Sequence, residues 1–188
     1  MRSSATRALL AAAFLCLSAP ASADCDDLWD WLNSGCRRVV DTYEHGSNDL
    51  ILSGYAWHLP WTWTDEKRAE ENQNTWGGGW ARTVEQVNGD TDSVFVLVFN
   101  DSHSRPQYNL GYGWSTYWGQ RNGVQGGLGY TLMLVARNDI ANGWPFPAVL
   151  PLLSVRYDKF TVYATYVPSL GGINNGSVVY VFDKVALD

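Results

Sequence analysis

A histidine and a later Asp-Ser pair are the residues of this 188-residue chain whose types suit acyl transfer. His58 lies in the aromatic stretch YAWHLPWTW, and Asp101 and Ser102 closely follow the apolar run VFVLVF, residues 94–99. An imidazole accepts a proton from a hydroxyl near neutral pH, and a nearby carboxylate or hydroxyl orients the reacting groups. The pattern alone is weak, because Asp-Ser pairs are common in turns and a lone inward histidine is more often structural.

The residues around His58 alternate with the period of two that is typical of β-strands. In residues 51–63 the odd positions, from Ile51 through Tyr55 and Trp57 to Trp63, are mostly large and apolar, whereas the even positions are mostly small and include His58. We expect the odd positions to face lipid and His58 to face inward. Runs of this kind, bounded by turn signals, cover residues 50–64, 75–87, 93–100, 108–118, 124–137, 148–158, 160–167 and 177–185.

These runs predict an all-β protein, an eight-stranded antiparallel transmembrane β-barrel over residues 49–188, preceded by a short amphipathic helix over residues 24–42. Ten tryptophans and ten tyrosines suit the aromatic girdles of an outer-membrane barrel. Small residues opposite the bulky face, among them Gly111, Gly113, Gly127 and Gly129, are expected to leave space inside. The run VFVLVF is apolar on both faces, which fits either an apolar lumen or an ordinary core.

The amino end has the layout of a secretory signal peptide over residues 1–23, with two arginines, an apolar run and the sequence ASA. A lipoprotein anchored at Cys16 or Cys25 is the alternative, although neither cysteine follows a clean small-residue lipobox. In an exported chain Cys25 and Cys36 can form a disulfide. On one continuous helix they would lie about 16 Å apart by rise alone, so pairing requires a break near Gly35.

The net charge and the motifs of the chain limit the kinds of partner and cofactor that it is expected to bind. The formal net charge is −6, and removal of the signal peptide, which has arginines but no acidic residue, makes it more negative. A chain of this charge lacks the basic face that nucleic acid requires. The sequence has no metal-ligand spacing and no nucleotide motif, so we expect no metal and no cofactor. We also expect a monomer.

The ordered motifs WH, WGGG, DS, GYGW, AR, LPL and YVP, between residues 57 and 168, resemble those of the PagP family of outer-membrane lipid A palmitoyltransferases. The resemblance implies transfer of palmitate from the sn-1 position of a membrane phospholipid to the hydroxyacyl chain at position 2 of lipid A. It also implies that His58, Asp101 and Ser102 are catalytic. His58 would then act as the base toward the acceptor hydroxyl, Asp101 would orient it or stabilise its charge, and Ser102 would hold the donor ester.

The same resemblance implies roles outside the catalytic group. Gly113 matches the glycine at the floor of the acyl pocket, and Lys67 matches a basic position used in lipopolysaccharide recognition. Pro151 and Pro168 match prolines beside a weakly paired part of the wall, where a lipid enters sideways.

This chain departs from the family at one pair of positions, and its tail differs from that of many outer-membrane barrels. Ser53 and Thr75 replace a second pair of family prolines, which puts a second lateral gate in doubt. The tail runs on from Phe182 to DKVALD instead of ending on an aromatic residue.

Two other functions remain open from the residues alone. A non-enzymatic outer-membrane barrel, structural or adhesive, predicts a polar, plugged lumen. A lipocalin-like lipid carrier predicts polar outer faces. Neither would modify lipid A.

Overall fold

The computed structural model describes residues 25–26, 29–120, 122–169 and 176–187. The predicted signal peptide, residues 1–23, lies outside them. The elements are α1 (Asp30–His45), β1 (Ser47–His58), α2 (Asp65–Glu70), β2 (Asn74–Glu85), β3 (Thr91–Asn100), β4 (Pro106–Gly119), β5 (Gln125–Ala136), a 3-10 helix (Ala141–Gly143), β6 (Phe146–Tyr157), β7 (Phe160–Val167) and β8 (Val178–Ala186).

The strands β1 to β8 form a closed antiparallel barrel in which each strand pairs with its neighbours in sequence and β8 pairs with β1. The predicted fold class is therefore confirmed. The first strand is shorter than the run over residues 50–64 suggested. It ends at His58, because Pro60 has no backbone N–H for a ladder and the Thr62 N–H instead closes a turn on the Leu59 carbonyl oxygen at 3.0 Å.

Large apolar side chains cover the outside of the wall, as alternation predicted for β4 and β5. The exposed residues of this kind on the strands include Leu50, Leu52, Tyr55, Trp57, Leu110, Leu128, Leu132, Leu134, Val149, Leu153, Val155 and Val162. A continuous apolar surface of this extent is typical of a wall in contact with lipid. A lipocalin-like carrier would present polar outer faces instead.

A β-bulge in β1 changes which residues face inward. The pairing of β1 with both neighbours shifts register between Ser53 and Tyr55. Below the bulge Ile51 is buried in the lumen and Leu52 is exposed, which reverses the prediction for Ile51. Above it Tyr55 faces outward and His58 inward, as predicted. The extra residue moves every side chain beyond it to the opposite face.

The upper part of the lumen, toward His58, is apolar. Leu97 and Phe99 of VFVLVF are buried with Ile51, Ala56 and Tyr180. Phe99 stacks on Tyr180 with ring centroids 4.7 Å apart. Of the two explanations for VFVLVF, the apolar lumen is therefore the one that the structure supports.

The opposite end of the lumen is polar and is called the polar floor here; it comprises Asp49, Thr83, Ser93, Tyr163 and Lys184. Lys184 Nζ lies 2.9 Å from Asp49 Oδ2, and their side chains are 11% and 3% exposed. The same ammonium donates to Thr83 Oγ1 at 2.8 Å and to Ser93 Oγ at 3.4 Å. A buried ion pair needs such added hydrogen bonds to offset its desolvation.

The described residues 25–26 and 29–40 belong to a unit separate from the one that begins at Asp41. Cys25 and Cys36 form a disulfide with their Cα atoms 5.8 Å apart. The expected break near Gly35 is wrong, since α1 continues through that residue. Cys25 instead precedes α1, and the Asn33 side-chain amide donates to its carbonyl oxygen at 2.9 Å. In the described part of the chain, no helix has both the length and the apolar character needed to cross a bilayer.

Candidate active site

His58 and Ser102 are brought together at one end of the barrel, far apart in sequence but in hydrogen-bond contact. His58 is the last residue of β1, and Ser102 follows β3. His58 Nε2 lies 3.0 Å from Ser102 Oγ, and the imidazole is almost fully buried. Strand direction explains the contact, because β1 and β3 run the same way and end at the same mouth. An imidazole bonded to a hydroxyl is the pairing that acid–base chemistry at an ester requires.

Asp101 shapes the loop that presents Ser102. Its Oδ1 accepts hydrogen bonds from the backbone N–H groups of His103 and Arg105, both at 2.9 Å. The Asp101 N–H donates to the Arg105 carbonyl oxygen at 2.7 Å, which closes the loop. The structure thus brings His58 and Ser102 into contact and places the buried Asp101 beside them, with its carboxylate bonded within its own loop.

Trp63 holds the histidine ring from the side. The Trp63 and His58 rings are T-shaped, with centroids 4.8 Å apart and planes at 88°. The indole N–H donates to the Ser177 carbonyl oxygen at 3.0 Å, which fixes the ring. The prediction that Trp63 and Leu59 face lipid is wrong, because β1 ends at His58 and alternation no longer applies beyond it. Leu59 is 5% exposed.

A guanidinium lies against two carboxylates at the mouth. Arg137 Nη2 lies 3.5 Å from Asp101 Oδ2 and 2.8 Å from Asp139 Oδ2. Burial acts in the opposite direction, but the Arg137 guanidinium holds the pKa of the Asp139 carboxyl below its usual value. Potential metal-ligand atoms of Asp101, His103 and Asp139 lie within 4.8 Å of one another. Arg137 already supplies positive charge to that group.

Below His58 and Ser102 the lumen forms a well of about 630 Å³. Its walls include the apolar residues Phe95, Leu97 and Phe99, and it reaches down past Gly113 to Lys184. A narrow apolar well with polar groups at its mouth suits a hydrocarbon chain carrying an ester at one end.

Gly113 differs from the other inward glycines of β4 and β5. A Cβ added at Gly113 would have its nearest neighbours at 3.8 Å, which is ordinary contact. A Cβ at Gly111, Gly127 or Gly129 would come within 2.6, 2.3 or 2.0 Å of existing atoms. The expectation that all four glycines leave space is therefore wrong for these three, whose neighbours already fill it. Only at Gly113, among the four, would a larger side chain project into the well.

The wall opens beside this well, between β6 and β7. Their pairing runs from Tyr157 and Phe160 only as far as Leu152 and Thr165. Residues 146–151 of β6 pair with β5 alone. Pro151 lies at the edge of this gap, where the Thr165 hydroxyl donates to its carbonyl oxygen at 2.7 Å. Pro168 directly follows β7 and lines the well.

The seam between β1 and β2, where the family has its second pair of prolines, is bridged by hydrogen bonds. Ser53 Oγ donates to the Thr75 carbonyl oxygen at 2.5 Å. Above the bulge the Ala56 N–H donates to the Gln73 carbonyl oxygen at 2.9 Å. The described residues thus show a paired seam here and a gap at β6 and β7.

Lys67 lies in α2, between β1 and β2, at the end of the barrel that holds His58. It is exposed, and its backbone N–H donates to the Thr64 side chain at 3.4 Å in a helix cap. The adjacent Arg68 is bonded to Asp65 at 2.9 Å. An exposed ammonium near the mouth suits an anionic headgroup.

Comparison with known proteins agrees with this geometry. A family model described as antimicrobial peptide resistance and lipid A acylation protein PagP matches residues 38–184. A protein of Bordetella parapertussis named lipid A acyltransferase PagP is 38% identical over 95% of this chain and 98% of its own length. Proteins of the same name from Methylobacillus flagellatus and Legionella pneumophila are 35% and 32% identical, each over 88% of this chain and over 89% and 88% of their own lengths. The chain therefore belongs to the PagP family.

Proposed function

We propose that this protein is an outer-membrane acyltransferase that moves a palmitoyl chain from the sn-1 position of a glycerophospholipid to the hydroxyacyl chain of lipid A. The observation that carries the proposal is the His58–Ser102 hydrogen bond at the mouth of an apolar well that opens sideways through the wall. The apolar outer face supports a location in the outer membrane. The relatives are named lipid A acyltransferases, which supports lipid A as the acceptor.

The reaction exchanges one ester for another and needs positioning and proton transfer. The donor acyl chain lies in the well with its ester at Ser102, whose hydroxyl holds the ester. His58 accepts the proton of the acceptor hydroxyl as the hydroxyl oxygen attacks the carbonyl carbon. The bond to the glycerol oxygen then breaks, and that oxygen takes the proton from His58, so that a lysophospholipid leaves. Asp101 keeps the Ser102 loop in place, and Lys67 attracts the phosphates of lipid A.

The product of this reaction has a defined mass. We expect that expression in a bacterial strain without its own palmitoyltransferase adds one palmitoyl group to lipid A, which mass spectrometry of extracted lipid A detects. Ser102→Ala should remove the gain while the protein remains folded in the outer membrane. An unchanged lipid A spectrum with folded wild-type protein at the surface would contradict the proposed function.

The gap between β6 and β7 is proposed as the donor's entrance. We expect that cysteines at Leu150 and Val167, joined by a short bis-maleimide, reduce transfer from vesicle phospholipid in proportion to the fraction cross-linked. These positions are the next facing pair above Leu152 and Thr165. Cysteines at the paired, exposed positions Leu110 and Leu134 provide the control, because that seam is already closed. Equal transfer before and after linking Leu150 to Val167 would exclude this route.

A further inference from the structure

A buried carboxylate that this acid–base scheme does not use lies beside the histidine. Glu71 follows α2, and its side chain is 6% exposed. Its Oε2 lies 4.0 Å from His58 Nε2, and its Oε1 lies 3.6 Å from His103 Nε2. Oε2 is enclosed and accepts no hydrogen bond from the described residues. A buried carboxylate oxygen without a hydrogen bond lowers the stability of the folded protein, so its position calls for a functional explanation.

Backbone contacts keep Glu71 in this place. The Glu71 N–H donates to the Arg68 carbonyl oxygen at 3.3 Å and so caps α2. The next N–H, of Asn72, donates to the Ser102 carbonyl oxygen at 2.8 Å. The Asn72 side chain also donates to the Asn74 carbonyl oxygen at 3.0 Å. Glu71 is therefore tied to the same loop that presents Ser102.

Both acidic and basic side chains surround the Glu71 carboxyl. The charged and titratable groups that face it from the surrounding elements are His58, Asp101, His103, Arg137 and its neighbour Glu70. Burial raises the pKa of the Glu71 carboxyl, His103 and Arg137 act against that rise, and the two acidic neighbours add to it. Burial has the larger effect, so the pKa of the Glu71 carboxyl lies above its usual value, while the nearby Arg137 guanidinium favours the carboxylate form.

We propose that Glu71 is a positioning residue for the acyl transfer, whose carboxylate stabilises the His58 imidazolium while that ring holds the proton of the acceptor hydroxyl. The inference rests on the proposed function. The imidazole is neutral before the reaction and positive midway, so a fixed negative charge 4.0 Å away favours the charged stage over the starting state. Glu71 itself neither gains nor loses a proton; the proton moves from the acceptor hydroxyl to His58 and then to the departing glycerol oxygen.

The test is the pH dependence of transfer by Glu71→Gln, which keeps the shape of the side chain and removes its charge. A nearby carboxylate favours the protonated histidine, so its removal should move the acid limb of the rate profile to lower pH by about one unit. The plateau rate should fall about three- to tenfold, because a weaker base transfers the proton less well. Glu71→Asp keeps the charge and should retain the wild-type acid limb.

Glu70→Gln is the matched control, since it removes the same charge from the exposed neighbouring residue and should leave the profile unchanged. A second measurement does not depend on activity: NMR titration of the His58 imidazole should show a lower midpoint in Glu71→Gln than in the wild type. An identical His58 titration in the two folded proteins would overturn this inference. Absence of transfer by the wild type would overturn the proposed function instead, so the two failures are distinguishable.

Discussion

Replacement of His58 by alanine is expected to reduce acyl transfer by about 10²–10⁴-fold, the range typical of a lost acid–base group. The His58 ring bonds to Ser102 Oγ at 3.0 Å and has Trp63 against its side, so the variant removes the base and leaves the surrounding loop in place. Transfer of radiolabelled palmitate from phospholipid to lipid A in detergent measures the effect.

Two variants make this result specific. His58→Gln keeps a polar side chain of similar size but cannot take up a proton at neutral pH, so it should be as inactive as the alanine variant. His45→Gln changes an exposed histidine at the end of α1 and should retain full activity. Activity of His58→Gln comparable to the wild type would mean that the histidine has a structural role only.

Replacement of Gly113 by methionine is expected to shift the preferred donor from palmitate to a shorter chain. A Cβ at this position meets nothing closer than 3.8 Å, so the side chain can extend into the well without a backbone clash. If it takes the space of three methylenes, at about 0.8 kcal/mol each, palmitate loses roughly 50-fold in preference relative to a chain shorter by that length. Competition between phospholipids of different acyl length, read by mass spectrometry of the product, measures the shift.

Gly126→Met is the matched control for this substitution. Gly126 lies on the outer side of β5, where a Cβ would come no closer than 3.6 Å to Trp118. The chain preference should remain that of the wild type. Gly111 is unsuitable, because a Cβ there would come within 2.6 Å of backbone and side-chain atoms, and a loss of folding would obscure the result. Unaltered preference in folded Gly113→Met would exclude Gly113 from the acyl-binding surface.

The alternation of residue types predicted which side chains face lipid over much of the wall. Each barrel strand has one face toward lipid and the other toward the lumen, so the two faces differ in residue type. The bulge between Ser53 and Tyr55 was not predictable in this way. One added residue leaves both halves of β1 alternating, and only the pairing with β2 and β8 shows that the phase has changed. The error at Ile51 follows from this.

The sequence predicted fewer features of the site than of the barrel wall. The alternation placed His58 inward, and the family resemblance supplied Asp101 and Ser102 as partners. Glu71 was missed because it ends the charged run TDEKRAEE, in which every carboxylate resembles a solvated surface group. Its burial depends on the contact of Asn72 with the Ser102 loop. The four inward glycines were also alike in sequence, and strand packing alone separated Gly113 from the others.

The polar floor has a consequence for the permeability of the membrane around the protein. A barrel that admits a hydrocarbon chain from one side would conduct ions and small solutes if its lumen continued to the other side. Lys184 of β8 and Asp49 of the neighbouring β1 form an ion pair in the lower lumen, and the hydroxyls of Tyr117 on β4 and Tyr163 on β7 meet at 3.0 Å. We expect these groups to close the well to through-flow, so that the protein exposes a deep apolar cavity to lipid without providing a pore.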